Sequence, residues 1–134
     1  MIVKTNSFKI NTNKNFEIID ITSKINDWID VENGIISIFS KHSTSAIVVN
    51  ENEKGLIHDF EFMLNNLVSD KFSYSHDRID NNASSHLRSF LLSSSESLPV
   101  KNSRLDLGTW QSVFFVELDG PRRARTVTLT MDGE

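Results

Sequence analysis

The sequence predicts an α+β fold. Apolar and polar residues alternate near both ends of the chain, at Phe8 and Ile10, at Phe16 and Ile18, and again at Val127, Leu129 and Met131; this is the two-residue period of a half-buried strand. In the middle, Leu56, Phe60, Met63, Leu64 and Leu67 fall within one arc of a 3.6-residue period, which marks an amphipathic helix over Lys54 to Val68. A second helical stretch runs from Asn81 to Leu92. With 134 residues the chain is expected to form one domain, 1–134, burying roughly two thirds of its unfolded surface around a single core.

Composition narrows the function classes. Charged residues make up 24% of the chain and the formal charge is −4, so a nucleic-acid partner is not expected without a strongly segregated basic patch. There is no cysteine, which rules out disulfides and thiolate metal sites and leaves imidazole, carboxylate and carbonyl as the available ligands. The opening MIVKTNSFKINTNKNF has no apolar run of signal-peptide length, and no stretch approaches a membrane span. A cytoplasmic protein with no membrane partner is the expectation.

In chain order, a strand over Phe8 and Ile10, the polar loop Asn11 to Asn15, and a strand over Phe16 and Ile18 come first. Thr22 or Ser23 can cap a short helix burying Ile25, Trp28 and Ile29, with Asn33-Gly34 closing it. Ile35 to Phe39 and Ala46 to Val49 read as central strands covered on both faces. His42 lies in the hydroxyl-rich joint between them. There it is a ligand, a general acid/base, or a hydrogen-bonded turn residue. The second strand exits into Asn50, Glu51, Asn52 and Glu53, of which Glu51 is a candidate and Glu53 is expected to be solvated. On the following helix His58 projects away from the apolar arc, while Asp59 sits at its border and can reach a neighbouring element or remain a solvated flank.

Asp70 to Asp80 has no period and reads as a loop carrying Tyr74, His76 and Asp77. On the helix after it, Asn82, His86 and Ser89 share one stripe. Ala83, Leu87, Phe90 and Leu91 form the adjoining stripe expected to be buried, and Arg88 points away. Ser93 to Ser97 reads as a flexible loop, or as hydroxyls and backbone N–H groups able to hold an anion. Leu105 to Leu118 is strand material around Gly108, with Trp110 and Gln111 in its middle. Its alternation sets Val113, Phe115, Glu117 and Asp119 on one face and Ser112, Phe114, Val116 and Leu118 on the other. Asp119-Gly120-Pro121-Arg122 is a turn, and Arg125 to Met131 returns as the second arm of a terminal hairpin. Arg122, Arg123 and Arg125 can cradle a phosphate or be solvated turn residues.

The segments HSTSAIVVNENE, Tyr74 to His76 with NNASSHLRSFLL, LPVKNSRLDLGTWQ and FFVELDGPRRARTVTL, in that order, resemble the YjbQ-like family, whose members are described as secondary thiamine-phosphate synthases. The resemblance runs over nearly the whole chain from Ile35, and LGTWQ and E-x-DGPR are its most specific pieces. It implies a mostly antiparallel β-sheet with helices packed on one side, and a homotrimer for which Trp110 or Phe114 would be interface anchors. Carried over by position, the motif polar residues are His42, Thr44, Asn50, Glu51, Asp59, His76, Asn82, His86, Gln111, Glu117, Asp119 and Arg122. Two positions depart from the pattern: Ser85 stands where histidine or alanine is usual, and Ser93 where glycine is.

Three functions fit the chemistry. The first joins an aminopyrimidine methyl pyrophosphate to a thiazole phosphate with release of pyrophosphate. In it His42, His76, His86, Glu51 and Asp59 are catalytic, and Thr44, Asn50, Asn82, Gln111 and Arg122 bind the phosphorylated substrate. Mg²⁺ would be held through carboxylate oxygen. The second places a metal such as Zn²⁺ on His42, His76 and His86 with Glu117 or Asp119, for hydrolysis of an unidentified substrate. The third is a non-catalytic trimeric binding or assembly module. For the last motif, either a metal sits by Glu117 and Asp119 with Arg122 free for phosphate, or Arg122 forms an internal ion pair that fixes the turn.

Overall fold

The computed structural model describes residues 2–134. Eight strands and three helices follow one another as β1 (Ile2–Ile10), β2 (Glu17–Asp20), α1 (Thr22–Trp28), β3 (Asn33–Ser40), β4 (Ser45–Asn50), α2 (Lys54–Leu67), α3 (Ala83–Leu92), β5 (Ser95–Lys101), β6 (Arg104–Leu105), β7 (Ser112–Glu117) and β8 (Arg125–Gly133). A single 3-10 turn, Ser75–Arg78, precedes α3. The strands form two sheets, one of five in the order β1-β8-β3-β5-β6 and one of three in the order β2-β7-β4. Every pairing is antiparallel.

The two sheets stack because each turns an apolar face inward. Ile36 and Ile38 of β3 and Val127, Leu129 and Met131 of β8 meet Ile47, Val113 and Phe115 of the smaller sheet, and Ile25 of α1 closes the side. The opposite face of the small sheet presents Ala46, Phe114, Val116 and Leu118, which Phe60 of α2 and Leu92 at the end of α3 help to cover. Strand β7 is therefore buried on both faces, Val113 to Glu117 without exception. The expected α+β fold holds, with α2 and α3 on one side of an antiparallel arrangement that splits into two sheets.

Several local expectations change. The last two strands are not a hairpin, because β7 lies in the small sheet and β8 in the large one, between β1 and β3. Strand β3 is central but covered on one face only, with Ile35 and Phe39 exposed, and β4 is an edge strand. Asn33-Gly34 opens β3 instead of closing α1. A Cβ on Gly34 would lie 2.1 Å from the Asp132 carbonyl oxygen, so only glycine admits this approach of β8. Helix α1 is started by Asp20, whose carboxylate accepts from the Thr22 N–H at 3.0 Å, while the Thr22 hydroxyl accepts from the Val113 N–H at 2.9 Å. Glu53 is not simply solvated: it caps α2 by accepting from the Gly55 and Leu56 N–H groups. The serine-rich stretch is strand from Ser95. At the β5–β6 turn Asn102 and Ser103 both take positive φ, as a two-residue hairpin of the primed type requires.

The helices differ most from their periodic reading. In α2 only Leu64 is fully buried, and Leu56, Met63 and Leu67 of the predicted arc are exposed. Helix α3 is turned from its expected side: of the apolar stripe Ala83 is buried, but Leu87 is exposed, Phe90 is 83% exposed and Leu91 63%, while Ser84, Ser85, Arg88 and Ser89 face the protein. Arg88, expected to point away, is 4% exposed. Its Nη2 donates to the Val68 carbonyl at 2.7 Å, Ser85 donates to the Leu118 carbonyl at 2.7 Å, and Ser89 to the Ser45 carbonyl at 2.6 Å. Directed hydrogen bonds to buried carbonyls outweigh the apolar stripe, since a carbonyl buried without a donor costs about 1–3 kcal/mol.

Ser93, which the resemblance sets at a glycine position, has φ 75° and ψ 156°. A side chain there is strained by about 1–3 kcal/mol. Ser93→Gly is expected to raise the unfolding free energy by about 1 kcal/mol after glycine's greater unfolded-state freedom is counted; urea denaturation showing a loss would contradict this.

Candidate functional site

The residues of the DGPR turn are set by the polar loop that precedes β2. The Thr12 N–H donates to the Arg122 carbonyl at 2.8 Å, the Arg122 N–H donates to the Thr12 hydroxyl at 2.8 Å, and the Gly120 N–H donates to the Asn15 carbonyl at 3.0 Å. The Gly120–Pro121 peptide is cis. A Cβ on Gly120 would lie 2.1 Å from the Lys14 carbonyl oxygen, so the glycine permits the two segments to clasp. Within the turn, Arg122 Nη2 donates to Asp119 Oδ2 at 2.9 Å and its Nε to the Asp119 carbonyl at 2.9 Å. Asn82, at the start of α3, donates to the same carboxylate oxygen at 3.0 Å. Of the two arrangements expected for this segment, the chain has the internal ion pair.

Glu117 is paired elsewhere. Its carboxylate is 0% exposed and forms an ion pair with Arg125, which comes from the other sheet. Glu117 Oε1 also accepts from the Thr12 hydroxyl at 2.7 Å, and Oε2 from the Asp119 N–H at 3.0 Å. Arg125 Nη2 in turn donates to the Thr44 hydroxyl at 3.0 Å. Burial alone would raise the Glu117 pKa, but the hydrogen bonds from Arg125, Thr12 and the Asp119 N–H prevail and hold it below its usual range. Thr12 and the pairing role of Arg125 went unpredicted. A signal was present, since Arg125 falls in phase with inward-facing Val127, Leu129 and Met131, and Glu117 with Val113 and Phe115.

One residue beyond Arg125, the Thr126 N–H donates to His42 Nε2 at 2.8 Å. A ring nitrogen that accepts carries no proton, so His42 is neutral with its proton on Nδ1. Desolvation, and next the Arg125 charge, lower its pKa; Lys9 and Arg122 push the same way and Glu117 opposes them. His42 lines a cleft of about 720 Å³ together with Lys41, Ser43, His86, Ser89 and Ser94. His86 separates this cleft from a second one, of about 400 Å³, that contains His76. The His76 and His86 rings meet edge to face with centroids 4.8 Å apart, and His76 Nε2 is buried with no hydrogen-bond partner. The three histidines therefore border adjoining clefts, while His58 is on the surface as expected.

The remaining candidates lie elsewhere. Asn50, Glu51 and Asp59 line a separate pocket under α2. Gln111 accepts from the Gly108 N–H at 2.8 Å and so fixes its own loop. Asn50 and Gln111 are at the far end of β4 and β7 from Thr44 and Glu117, some six strand steps or roughly 20 Å away. A metal on His42, His76, His86, Glu117 and Asp119 does not fit either. Among the described residues no three His, Asp or Glu side chains converge as a ligand set. Much of the donor set is engaged: Glu117 by Arg125 and Thr12, Asp119 Oδ2 by Arg122 and Asn82, and His42 Nε2 by a backbone N–H.

This combination of fold and clasped DGPR turn defines a recognised class. The family model described as UPF0047 protein YjbQ-like matches residues 6–134. A UPF0047 protein of Methanothermobacter thermautotrophicus is 51% identical over 93% of this chain and 90% of its own length, and YugU of Bacillus subtilis is 32% identical over 95% and 98%. Among solved structures, a YbjQ-like protein of unknown function from Sulfolobus solfataricus superposes with a TM-score of 0.96 at 38% identity, covering 99% of both chains. A hypothetical protein from Aeropyrum pernix gives 0.93 at 36%, covering 98% and 99%. The chain belongs to the YjbQ-like UPF0047 family.

Two outcomes test the electrostatics. Glu117→Gln leaves Arg125 buried with a weakened partner, and we expect a loss of about 3–5 kcal/mol in denaturant unfolding; a loss under 1 kcal/mol would show the pair to be dispensable. For His42 the folded pKa lies below the ordinary 6.5. Below pH 6.5 the unfolded chain then binds the extra proton first, so the His42 contribution is full above that pH and is lost as the pH falls towards the folded pKa. Thermal melts of the wild type and His42→Asn should converge between pH 7.5 and 5.5; a constant gap would contradict this.

Proposed function

We propose that the chain binds a small phosphorylated molecule in the His42–His86 cleft and acts there as a thiamine-phosphate-synthase-like transferase. In this reading an aminopyrimidine methyl pyrophosphate is joined to a thiazole phosphate and pyrophosphate departs. The observation that carries it is the lining of that cleft, where Lys41, His42, Ser43, His86, Ser89 and Ser94 meet. Lys41 supplies the positive charge there, since Arg125 and Arg122 are already paired with Glu117 and Asp119. A leaving pyrophosphate accumulates negative charge as its bond breaks, and a lysine with hydroxyl and N–H donors around it stabilises that charge. His42 contributes as a donor through Nδ1–H, since its other nitrogen is engaged by Thr126. His86, on the shared wall, is the candidate for proton transfer. Hydrolysis at a bound Zn²⁺ has less support, for want of converging ligands within one chain.

The same reading includes assembly as a homotrimer. Its support is helix α3, which leaves Phe90 and Leu91 in water next to exposed Leu67 and Phe72, all lining one apolar groove. Contiguous apolar surface of this kind marks an interaction face. Trp110 is exposed and remains a candidate anchor, whereas Phe114 is buried within its own subunit.

Titration with pyrophosphate, followed by calorimetry, tests the binding step. Lys41→Ala is expected to weaken it about fivefold or more, as loss of about 1 kcal/mol implies, with melting unchanged. Equal affinity in the variant would count against the cleft. Sedimentation equilibrium at micromolar concentration should give three times 15.3 kDa, and Phe90→Asp should lower it; any other mass for the wild type would refute the trimer.

A further inference from the structure

Helix α2 is held to the small sheet at few points. Leu64 is its one fully buried residue, and Phe60 is half-buried, edge-on to Phe16 at a centroid distance of 6.2 Å. Between the helix and β4 a pocket of about 370 Å³ opens, walled by Ile18, Val48, Phe60, Leu92 and Phe114. Its polar side chains are few, one amide and two carboxylates. Asn50 and Asp59 are exposed residues at its edge, and Glu51 is half-buried, with no hydrogen bond or ion pair to its carboxylate among the described residues. An apolar chamber of this size with a small number of polar groups at one side is the ordinary form of a small-molecule site.

The geometry points to a second ligand site here, for a small aromatic or alicyclic ring carrying a protonated amino group. The ring is matched by the aliphatic and phenyl walls. Glu51, half-buried and without a partner among the described residues, carries the charge preference, and Asp59 adds to it from the solvent edge, where it lies 3.8 Å from His58 Nδ1; with no arginine or lysine lining the pocket this favours a cation and disfavours an anion. The site is distinct from the His42 cleft, which is lined by Lys41 and no carboxylate and lies at the other end of β4. Being independent of the phosphate reading, it stands or falls alone.

Benzylamine, benzyl alcohol and benzoate share one ring and differ in charge, so titrating each into the ¹⁵N-labelled protein at pH 7 separates ring from charge. Saturable shifts of the Val48, Ile57 and Leu92 amides with benzylamine are expected, with benzoate about fivefold weaker or worse. Glu51→Gln should reduce benzylamine affinity about fivefold and leave benzyl alcohol unchanged, the size of one partly exposed ion pair. The proposal is overturned if benzoate binds as well as benzylamine. It is equally overturned if no amide of the pocket saturates below about 10 mM, weaker than the millimolar range of fragment binding, or if the pocket amides shift with protein concentration alone, which would make a second copy the occupant.

Discussion

The buried pair of Glu117 and Arg125 is the constraint from which the rest of the site follows. The two residues come from different sheets, β7 and β8, and each would cost several kcal/mol to desolvate alone. The pair is tolerable because the carboxylate also receives the Thr12 hydroxyl and the Asp119 N–H, and the guanidinium reaches Thr44. These contacts come from the loop before β2, the DGPR turn and the start of β4, so one ion pair fixes three chain segments to a common point. His42 is then held by the residue next to Arg125 and faces the cleft in the neutral form. Arg122, one turn away, is spent on Asp119.

Helix α3 shows how such a site distorts ordinary patterning. Its serines and Arg88 are turned inward to the carbonyls of Ser45, Leu118 and Val68, and its leucines and Phe90 are turned outward as a consequence. His86, between these two faces, reaches the rim of both histidine-lined clefts. The apolar surface on the helix is thus coupled to the polar packing beneath it. A chain that associates through this surface would carry the clefts to the interface, where among the described residues His76 Nε2 has no hydrogen bond in the isolated subunit and only the Asp80 carboxylate, at 3.9 Å, nearby.

The sequence made the strands more legible than the helices. The two-residue period placed both faces of β7 and the inward set of β8 correctly, because strand burial in a stacked pair of sheets follows alternation directly. It could not tell that the two strands belong to different sheets, since a short turn joins sheets as readily as hairpin arms. For α3 the 3.6-residue period was right about helix and wrong about side: the stripe rule assumes that apolar residues face their own core, and here they do not. The motif residues divided in the same way. His42, His76, His86, Asn82, Asp119 and Arg122 lie in one region, whereas Asn50, Glu51, Asp59 and Gln111 lie at the other end of the small sheet, a separation that linear order does not encode. Glu117, legible as a polar residue in an inward phase, proved structural because its partner shares that phase from the other sheet.

The tautomer and charge of His42 report most directly on whether the Glu117–Arg125 pair organises the cleft. Long-range ¹H–¹⁵N correlation spectra of the imidazole, recorded across the acidic range, give both. The account predicts a proton on Nδ1, an acceptor at Nε2, and a midpoint below the ordinary histidine value of 6.5. A proton on Nε2, or a midpoint at or above 6.5, would contradict it.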